Sequence, residues 1–262
     1  MIRSAFVALS LAIITIVVGL PLLLYVAITG KIDPLYRTGA SAVLLICRAA
    51  GMRMRVEGLE NIPARTCLFA ANHTSNADPP AIVGAIPRRI AILAKKSLFA
   101  IPIVGTAFRL AQFVPVDRAH PEQAAASIEL AAEEMKKGVS FLIYPEGTRS
   151  PDGRLLPFRR GAFVLAIKAG VAVVPVACSG AHRVVAKNSY RISPGEVVVR
   201  FCPTIDAAEY SLNRRNELAQ RVHAAIAAAL PPDQQPAATS LAARTDAALK
   251  GGATSAERRG GV

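Results

Sequence analysis

The sequence predicts an α/β fold, a largely parallel sheet flanked by helices, preceded by an N-terminal membrane-anchoring helical segment. Three observations support this prediction: apolar runs that alternate with helical patterns after residue 54, polar motifs that follow several of these runs, and an uncharged apolar stretch near the amino terminus. Strands alternating with helices are typical of a parallel sheet with covered faces, and such sheets bind ligands at the carboxyl ends of their strands.

The 262 residues suit one domain with an added anchor. We expect a membrane helix and an interfacial helix in residues 1–53, an α/β domain in residues 54–230, and a disordered basic tail in residues 231–262. The tail starts at two prolines and lacks the bulky apolar side chains whose burial would offset the entropy of ordering.

The N-terminal segment, residues 5–28, contains no charged residue and has the roughly 20 apolar residues that a bilayer span requires. A signal peptide would have a shorter apolar core followed by a cleavage site, so an uncleaved helix is favoured. Pro21 should kink this helix, which leaves open a bent or re-entrant form. A second segment, residues 35–50, is interpreted equally well as an interfacial helix or as a core helix.

Basic residues dominate the charge, with 31 Lys and Arg against 18 Asp and Glu, a net charge of +13. This charge attracts nucleic acid, an anionic lipid surface or a phosphate-bearing substrate. Aromatic residues make up only 5% of the chain and Trp is absent, which disfavours nucleic-acid binding by base stacking. The basic residues that follow the first helix place the body of the chain on the cytoplasmic side of the membrane.

Within the body, we predict strands at residues 55–57, 66–71, 90–94, 139–144, 171–177 and 197–201. We predict helices at residues 79–85, 119–137, 161–169 and 216–230. The four cysteines and four histidines do not occur at metal-ligand spacing, so we expect buried reduced thiols and no metal site.

The first motif, residues 72–78, reads NHTSNAD and is followed by two prolines. It places His73 and Asp78 on one strand-to-helix turn, since proline favours the first turn of a helix. A carboxylate that holds a histidine fixes its tautomer and stabilises the imidazolium that forms when it acts as a base. The alternative is structural: Asp78 caps the helix, and His73 is an ordinary turn residue.

Three further blocks follow other apolar runs. Residues 144–150 read YPEGTRS, where Arg149 suits a phosphate, although a polar turn with a solvated arginine is the alternative. Residues 95–118 mix lysines with apolar residues and end in Asp117 and Arg118, and they are equally a loop with snorkelling lysines and a surface ion pair. Residues 174–180 read VPVACSG and end a strand at a glycine.

In this order, the four blocks resemble the 1-acylglycerol-3-phosphate (lysophosphatidic acid) acyltransferase family of glycerolipid acyltransferases. The resemblance covers roughly residues 55–205, and its specific parts are residues 72–78 and 145–150. The chain departs from the family at Pro115, where a non-proline strand residue is more usual, and at Tyr144, where Phe is common. Neither departure removes a group that does chemistry.

The resemblance implies transfer of a fatty acyl group from acyl-CoA or acyl carrier protein to the free hydroxyl of 1-acylglycerol-3-phosphate, giving phosphatidic acid. It implies that His73 is the general base and that Asp78 orients it. No cofactor or metal is expected, because a thioester is already activated. The expected partners are the two substrates and an anionic membrane surface. The implied acceptor-binding residues are Arg118, Glu146, Gly147, Thr148 and Arg149, with Arg118 and Arg149 on the phosphate.

Three other functions remain open from the sequence. The acceptor can be another lysolipid, such as lyso-ornithine lipid. A membrane-tethered polyanion-binding protein without catalysis would explain the charge and the anchor, but not the coincidence of the two specific motifs. A hydrolase with Ser75 as nucleophile is disfavoured, since Ser75 lacks the Gly-x-Ser-x-Gly turn.

Overall fold

The computed structural model describes residues 2–117, 120–159 and 161–237, and it shows a largely parallel sheet flanked by helices. The predicted fold class is confirmed. The strands are β1 (Met52–Glu57), β2 (Cys67–Ala71), β3 (Ala91–Lys95), β4 (Val114–Val116), β5 (Phe141–Ile143), β6 (Ala172–Ser179), β7 (Gly195–Phe201) and β8 (Ile205–Asp206).

The helices that were predicted in the body match the structure to within two residues at each end. The α-helices are α1 (Ile2–Ile14), α2 (Leu20–Thr29), α3 (Asp33–Ala49), α4 (Asp78–Ala85), α5 (Val104–Leu110), α6 (Pro121–Lys136), α7 (Gly161–Ala169), α8 (Ala181–Val184) and α9 (Arg215–Ala229). Shorter 3-10 turns occur at Leu59–Asn61, Lys96–Ala100, Ala207–Glu209, Leu212–Arg214 and Pro232–Gln234. Four short elements were not predicted from the sequence: β4, β8, α5 and α8.

The order of the strands places β2 inside the sheet. The order is β1-β7-β6-β2-β5-β3-β4, and β8 pairs with β6. β2 is parallel to both of its neighbours, β5 and β6, whereas β7 is antiparallel to β6. Because the carboxyl ends of parallel strands meet at one edge of a sheet, residues 72–78 and 144–150 emerge side by side.

β2 is buried on both faces of the sheet. Cys67, Phe69 and Ala71 pack on the side of α3 and α4, while Leu68 and Ala70 face the side of α6, α7 and α9. All five side chains are fully buried, as expected for an interior parallel strand with period-two alternation. Residues 72–78, which follow β2, are therefore anchored at their start by a buried strand.

The N-terminal apolar segment forms one helical stretch of 28 residues, Ile2–Thr29, and almost all of it is exposed. By length and composition this stretch can cross a membrane, and its exposure distinguishes it from a core helix. Pro21 cannot donate a backbone hydrogen bond, and its ring would clash with the carbonyl of the preceding turn. The structure has a π-helical turn there, Thr15–Gly19, which accommodates the proline.

Helix α3 meets both interpretations that the sequence left open. Its Leu35, Leu44 and Ile46 are buried, as in a core helix. Leu44 packs so closely on α4 that a Cβ atom at Gly84 would lie 2.7 Å from Leu44 Cδ2. Between Leu44 and Ile46, Leu45 is 65% exposed, as in an interfacial helix. This helix therefore joins the apolar segment to the sheet.

The predicted disordered tail begins too early, because residues 231–237 are held against the body of the protein. Gln234 is 2% exposed. Its carbonyl accepts the Leu155 N–H at 2.9 Å, and its Oε1 accepts the Gly180 N–H at 3.3 Å. Polar contacts of Gln234 and of its neighbours Asp233 and Gln235 hold these residues, and such contacts do not depend on apolar content. The rest of the predicted tail, residues 238–262, lies outside the described residues.

Candidate active site

His73 and Asp78 are in direct contact at the carboxyl end of β2. The His73 Nδ1–H donates to Asp78 Oδ2 at 2.8 Å, and the imidazole side chain is 13% exposed. With the proton on Nδ1, the neutral ring carries its lone pair on Nε2. The ring also stacks on Tyr144, with centroids 4.0 Å apart and planes at 24°. The histidine is thus held at one nitrogen and one face, the arrangement of a positioned base.

The Asp78 carboxylate is fully buried and is surrounded by hydrogen-bond donors. Its Oδ2 accepts the Thr74 N–H at 2.7 Å and the Ser75 N–H at 2.8 Å, in addition to the His73 ring. Its Oδ1 lies 3.5 Å from the Cys178 thiol. Asp78 therefore does not act as the helix cap that the alternative interpretation expected, because α4 begins at Asp78 itself and the carboxylate bonds the preceding turn.

Two side chains attach this turn to neighbouring elements. Asn72 donates to the Cys178 carbonyl at 2.9 Å and accepts the Cys178 N–H at 2.7 Å, which ties the end of β2 to β6. The Ser75 hydroxyl donates to the Val185 carbonyl at 2.7 Å and accepts the Ala77 N–H at 3.0 Å. Ser75 is thereby a structural residue, which argues further against a role as nucleophile.

Glu146, which follows β5, supports His73 from the backbone side. Its Oε1 accepts the His73 N–H at 2.8 Å, and the His73 carbonyl accepts the Ser150 N–H at 2.8 Å. Burial raises the pKa of Glu146 to about 8, against the backbone N–H groups of His73 and Leu156, which lower it. The carboxyl group is therefore largely protonated at neutral pH, which avoids a second negative charge near Asp78.

The next three residues of this turn, 147–149, are less buried than Glu146. Gly147 has φ +74°, and a Cβ atom there would lie 2.4 Å from the Arg159 side chain. The left-handed backbone therefore favours glycine at this position, and a larger residue would displace the Arg159 side chain. Thr148 is exposed and Arg149 is half-buried. The Lys187 ammonium donates to the Arg149 carbonyl at 2.6 Å, which adds a cation next to this arginine.

Of the predicted site residues, the structure brings His73, Asp78 and Glu146 into direct hydrogen-bonded contact. Gly147, Thr148 and Arg149 lie next to them on the same turn, and their binding roles stay predictions. Glu146 was predicted to bind the acceptor, whereas its observed contact is with the backbone of His73. Arg118 lies outside the described residues. The sequence analysis missed the contributions of Asn72, Ser75, Tyr144, Arg159, Cys178 and Lys187.

Known proteins resemble this chain over the region that contains the candidate site. A protein-family model described as Acyltransferase matches residues 53–179, which include both turns. The 1-acyl-sn-glycerol-3-phosphate acyltransferase of Pseudomonas aeruginosa is 33% identical over 74% of this chain and 76% of its own length. The enzyme of the same name from Cocos nucifera is 34% identical over 71% of this chain and 60% of its own length.

A solved structure has the same fold. The crystal structure of the 1-acyl-sn-glycerophosphate (LPA) acyltransferase PlsC from Thermotoga maritima superposes with a TM-score of 0.70 at 27% identity, covering 84% of this chain and 92% of that one. The fold and the site thus define an acyltransferase domain. The chain belongs to the 1-acyl-sn-glycerol-3-phosphate acyltransferase family. It spans 60–66% of the length of the plant relatives from Cocos and Limnanthes.

Proposed function

We propose that this protein transfers a fatty acyl group from a thioester to the free hydroxyl of 1-acylglycerol-3-phosphate, giving phosphatidic acid. The observation that carries the proposal is the 2.8 Å contact between the His73 ring and the buried Asp78 carboxylate. This pair lies beside an arginine-bearing turn, in a chain whose named relatives are acyltransferases for this acceptor. A base and a cationic subsite are the two groups that this reaction needs.

The chemistry begins with the acceptor hydroxyl. His73 Nε2 removes its proton as the oxygen attacks the thioester carbonyl, because an alcohol is a poor nucleophile until a base takes its proton. The new C–O bond forms and the C–S bond breaks. The departing sulfur then takes the proton from the imidazolium, which restores the neutral ring. Asp78 stabilises the imidazolium between these two proton transfers, as a carboxylate does in a Ser-His-Asp triad.

The acceptor phosphate is assigned to the turn after β5. Arg149 supplies a guanidinium that can bind two phosphate oxygens at once, and Lys187 adds a second cation beside it. Arg118 completes this proposed subsite from the sequence resemblance. Glu146 and Gly147 serve it indirectly: Glu146 fixes the His73 backbone and Gly147 leaves room for Arg159.

The apolar helix Ile2–Thr29 and the bacterial relatives are consistent with membrane association. We infer further that the catalytic domain lies on the cytoplasmic face, since acyl-CoA and acyl carrier protein are cytoplasmic donors. We also infer that the helix lies in that leaflet without crossing the bilayer, because Ser4 and Gly19 both contact the catalytic domain. The net charge of +13 favours an anionic membrane surface.

The experiment is an acyl-transfer assay with the full chain in phospholipid vesicles, labelled acyl-CoA or acyl carrier protein, and a panel of acceptors. The panel contains 1-acylglycerol-3-phosphate, lysophosphatidylcholine, monoacylglycerol and lyso-ornithine lipid. We expect labelled phosphatidic acid as the main product, and none from the matched His73→Ala protein. A preference for a lysolipid without a phosphate monoester would contradict the proposed acceptor, and the absence of any acylated product would contradict the function.

A further inference from the structure

Residues 185–192, most of the connection between α8 and β7, touch both turns of the candidate site. We call these residues the lip segment. At its start, the Val185 carbonyl accepts the Ser75 hydroxyl at 2.7 Å, which joins it to the catalytic turn. Two residues further on, Lys187 donates to the Arg149 carbonyl at 2.6 Å, which joins it to the arginine-bearing turn. The lip segment therefore forms one side of the site.

The other end of the lip segment touches the apolar helix. The Ile192 N–H donates to the Ser4 hydroxyl at 3.2 Å, near the beginning of α1. The helix also contacts the body further along, where a Cβ atom at Gly19 would lie 3.1 Å from the Ile103 side chain. The lip segment is thus continuous with the surface of the protein that is best suited to lipid.

Between Lys187 and Ile192, the lip segment exposes an aromatic and a basic side chain to solvent. Tyr190 is 92% exposed, and the neighbouring Arg191 is also exposed. The backbone is held in a turn, since Ser189 N–H donates to the Ala186 carbonyl at 3.2 Å and the Ser189 hydroxyl accepts the Arg191 N–H at 3.0 Å. An exposed tyrosine beside a cation matches the headgroup layer of an anionic bilayer, where the ring contacts acyl chains and the hydroxyl contacts water.

We propose that the lip segment rests on an anionic bilayer, with Tyr190 in the headgroup layer, and that a lysolipid acceptor reaches Arg149 along it. The bilayer is favoured over a protein partner because the lip segment is attached to the exposed apolar helix. The arginine and lysine complement anionic lipid in charge. The second half of this proposal rests on the proposed function, whereas the membrane contact of Tyr190 does not.

Fluorescence can test the contact directly because the chain contains no Trp. In a Tyr190→Trp variant the indole is the single such fluorophore. The matched control is Leu212→Trp, at another exposed position. Leu212 follows β8, which pairs with the amino end of β6, whereas the candidate site lies at the carboxyl ends of the strands. Both proteins are bound to vesicles of equal parts phosphatidylcholine and phosphatidylglycerol with brominated acyl chains. We expect a blue shift and quenching for Tyr190→Trp, and neither for Leu212→Trp.

Two results would overturn the contact: unquenched emission from Tyr190→Trp on protein that floats with the vesicles, or equal quenching in both variants. A failure of the protein to float would also contradict it. Charge gives a second readout. Arg191→Ser should weaken binding to these vesicles about fivefold, the worth of one basic side chain at an anionic surface, whereas Arg215→Ser should have a smaller effect. Equal effects would argue against a specific orientation.

The route of the acceptor is tested by activity. Tyr190→Asp should slow acylation of a long-chain acceptor embedded in vesicles and leave acylation of a monomeric short-chain acceptor unchanged. Equal loss on both acceptors would contradict the route. If Tyr190→Trp is quenched but no acceptor is acylated by the unaltered protein, the membrane contact is supported and the proposed function is the part that fails.

Discussion

The two turns that form the candidate site differ in the direction of their polar groups. After β2, the side chains of Asn72, Thr74, Ser75 and Asp78 are all fully buried and bonded within the protein. After β5, Glu146 and Ser150 are buried, but Gly147, Thr148 and Arg149 between them are partly or fully exposed. In the proposed function, the first turn therefore combines chemistry with stability, whereas the second separates ligand binding from the fold. Substitutions in the two turns should fail in different ways.

The largest effect is expected at Asp78, where one substitution should damage both activity and stability. Asp78→Asn removes the charge that stabilises the imidazolium and places an amide N–H group among donors. We expect kcat to fall by about 10³–10⁴-fold, and unfolding to become easier by roughly 1–3 kcal/mol. Steady-state kinetics and thermal unfolding check this. The control is Asp33→Asn at a 68% exposed carboxylate, where both quantities should stay near wild type.

Arg149 tests the opposite behaviour, loss of binding without loss of stability. Arg149→Ala should raise the KM for the lysophospholipid by about ten- to hundredfold, since a hydrogen-bonded charge contributes roughly 1.5–3 kcal/mol. The KM for the acyl donor and the unfolding temperature should change little. Arg149→Lys should recover part of the loss, because it keeps the charge but not the two-pronged geometry.

Arg154→Ala is the matched control for this arginine, since its guanidinium contacts only the Gln235 carbonyl, at 3.4 Å, among the hydrogen bonds of the described residues. An acceptor KM that rises equally in both alanine variants would mean that general positive charge, and not Arg149, attracts the substrate. A fall in kcat with an unchanged KM in Arg149→Ala would mean that Arg149 acts in catalysis, as the residues of the turn after β2 do. This result would contradict the proposed difference between the two turns.

Glu146 should affect the stability of the protein through its pH dependence. Its pKa is raised from 4.5 to about 8 in the folded protein, mainly by burial. Between these values the unfolded chain loses a proton that the folded protein keeps, so this group's contribution to stability falls as pH rises, at up to about 1.4 kcal/mol per pH unit. Glu146→Gln keeps the acceptor for the His73 N–H and removes the titration.

The measurement compares unfolding temperatures at pH 5 and pH 8. We expect the difference between the two to be smaller in Glu146→Gln than in the wild type, and unchanged in the exposed control Glu60→Gln. If the pH dependence of Glu146→Gln equals that of the wild type, Glu146 ionises normally in the folded protein and does not need to be neutral beside Asp78.

The sequence was informative wherever the structure depends on neighbouring residues. A continuous apolar run predicted β2, and the five-residue spacing of His73 and Asp78 placed both on one turn. By contrast, the contacts of Asp78 with Cys178 and of Ser75 with Val185 join residues that are 100 and 110 positions apart. A single sequence carries no signal for such pairs, because only the order of the strands brings them together.

Two elements of the body were missed for local reasons. β4 is only three residues long and contains Pro115, a residue that is disfavoured inside a sheet, but β4 lies at the edge of the sheet, where proline is tolerated. α5 is only seven residues long and contains Gly105, a poor helix former. That glycine is required by packing, since a Cβ atom there would lie 2.2 Å from the Phe99 carbonyl oxygen. In both places tertiary contacts override local preference.

The central claim, that His73 and Asp78 act as one unit in acyl transfer, is tested most directly by a double-mutant cycle. The kcat for acylation of 1-acylglycerol-3-phosphate is measured for the wild type, His73→Ala, Asp78→Asn and the double variant. We predict that the kcat of His73→Ala is lower than that of the wild type by about 10²–10⁴-fold. We also predict that the kcat of the double variant is no more than about twofold below that of the more impaired single variant, because residues of one catalytic unit are strongly non-additive. Wild-type activity in folded His73→Ala, or losses that multiply in the double variant, would contradict the account.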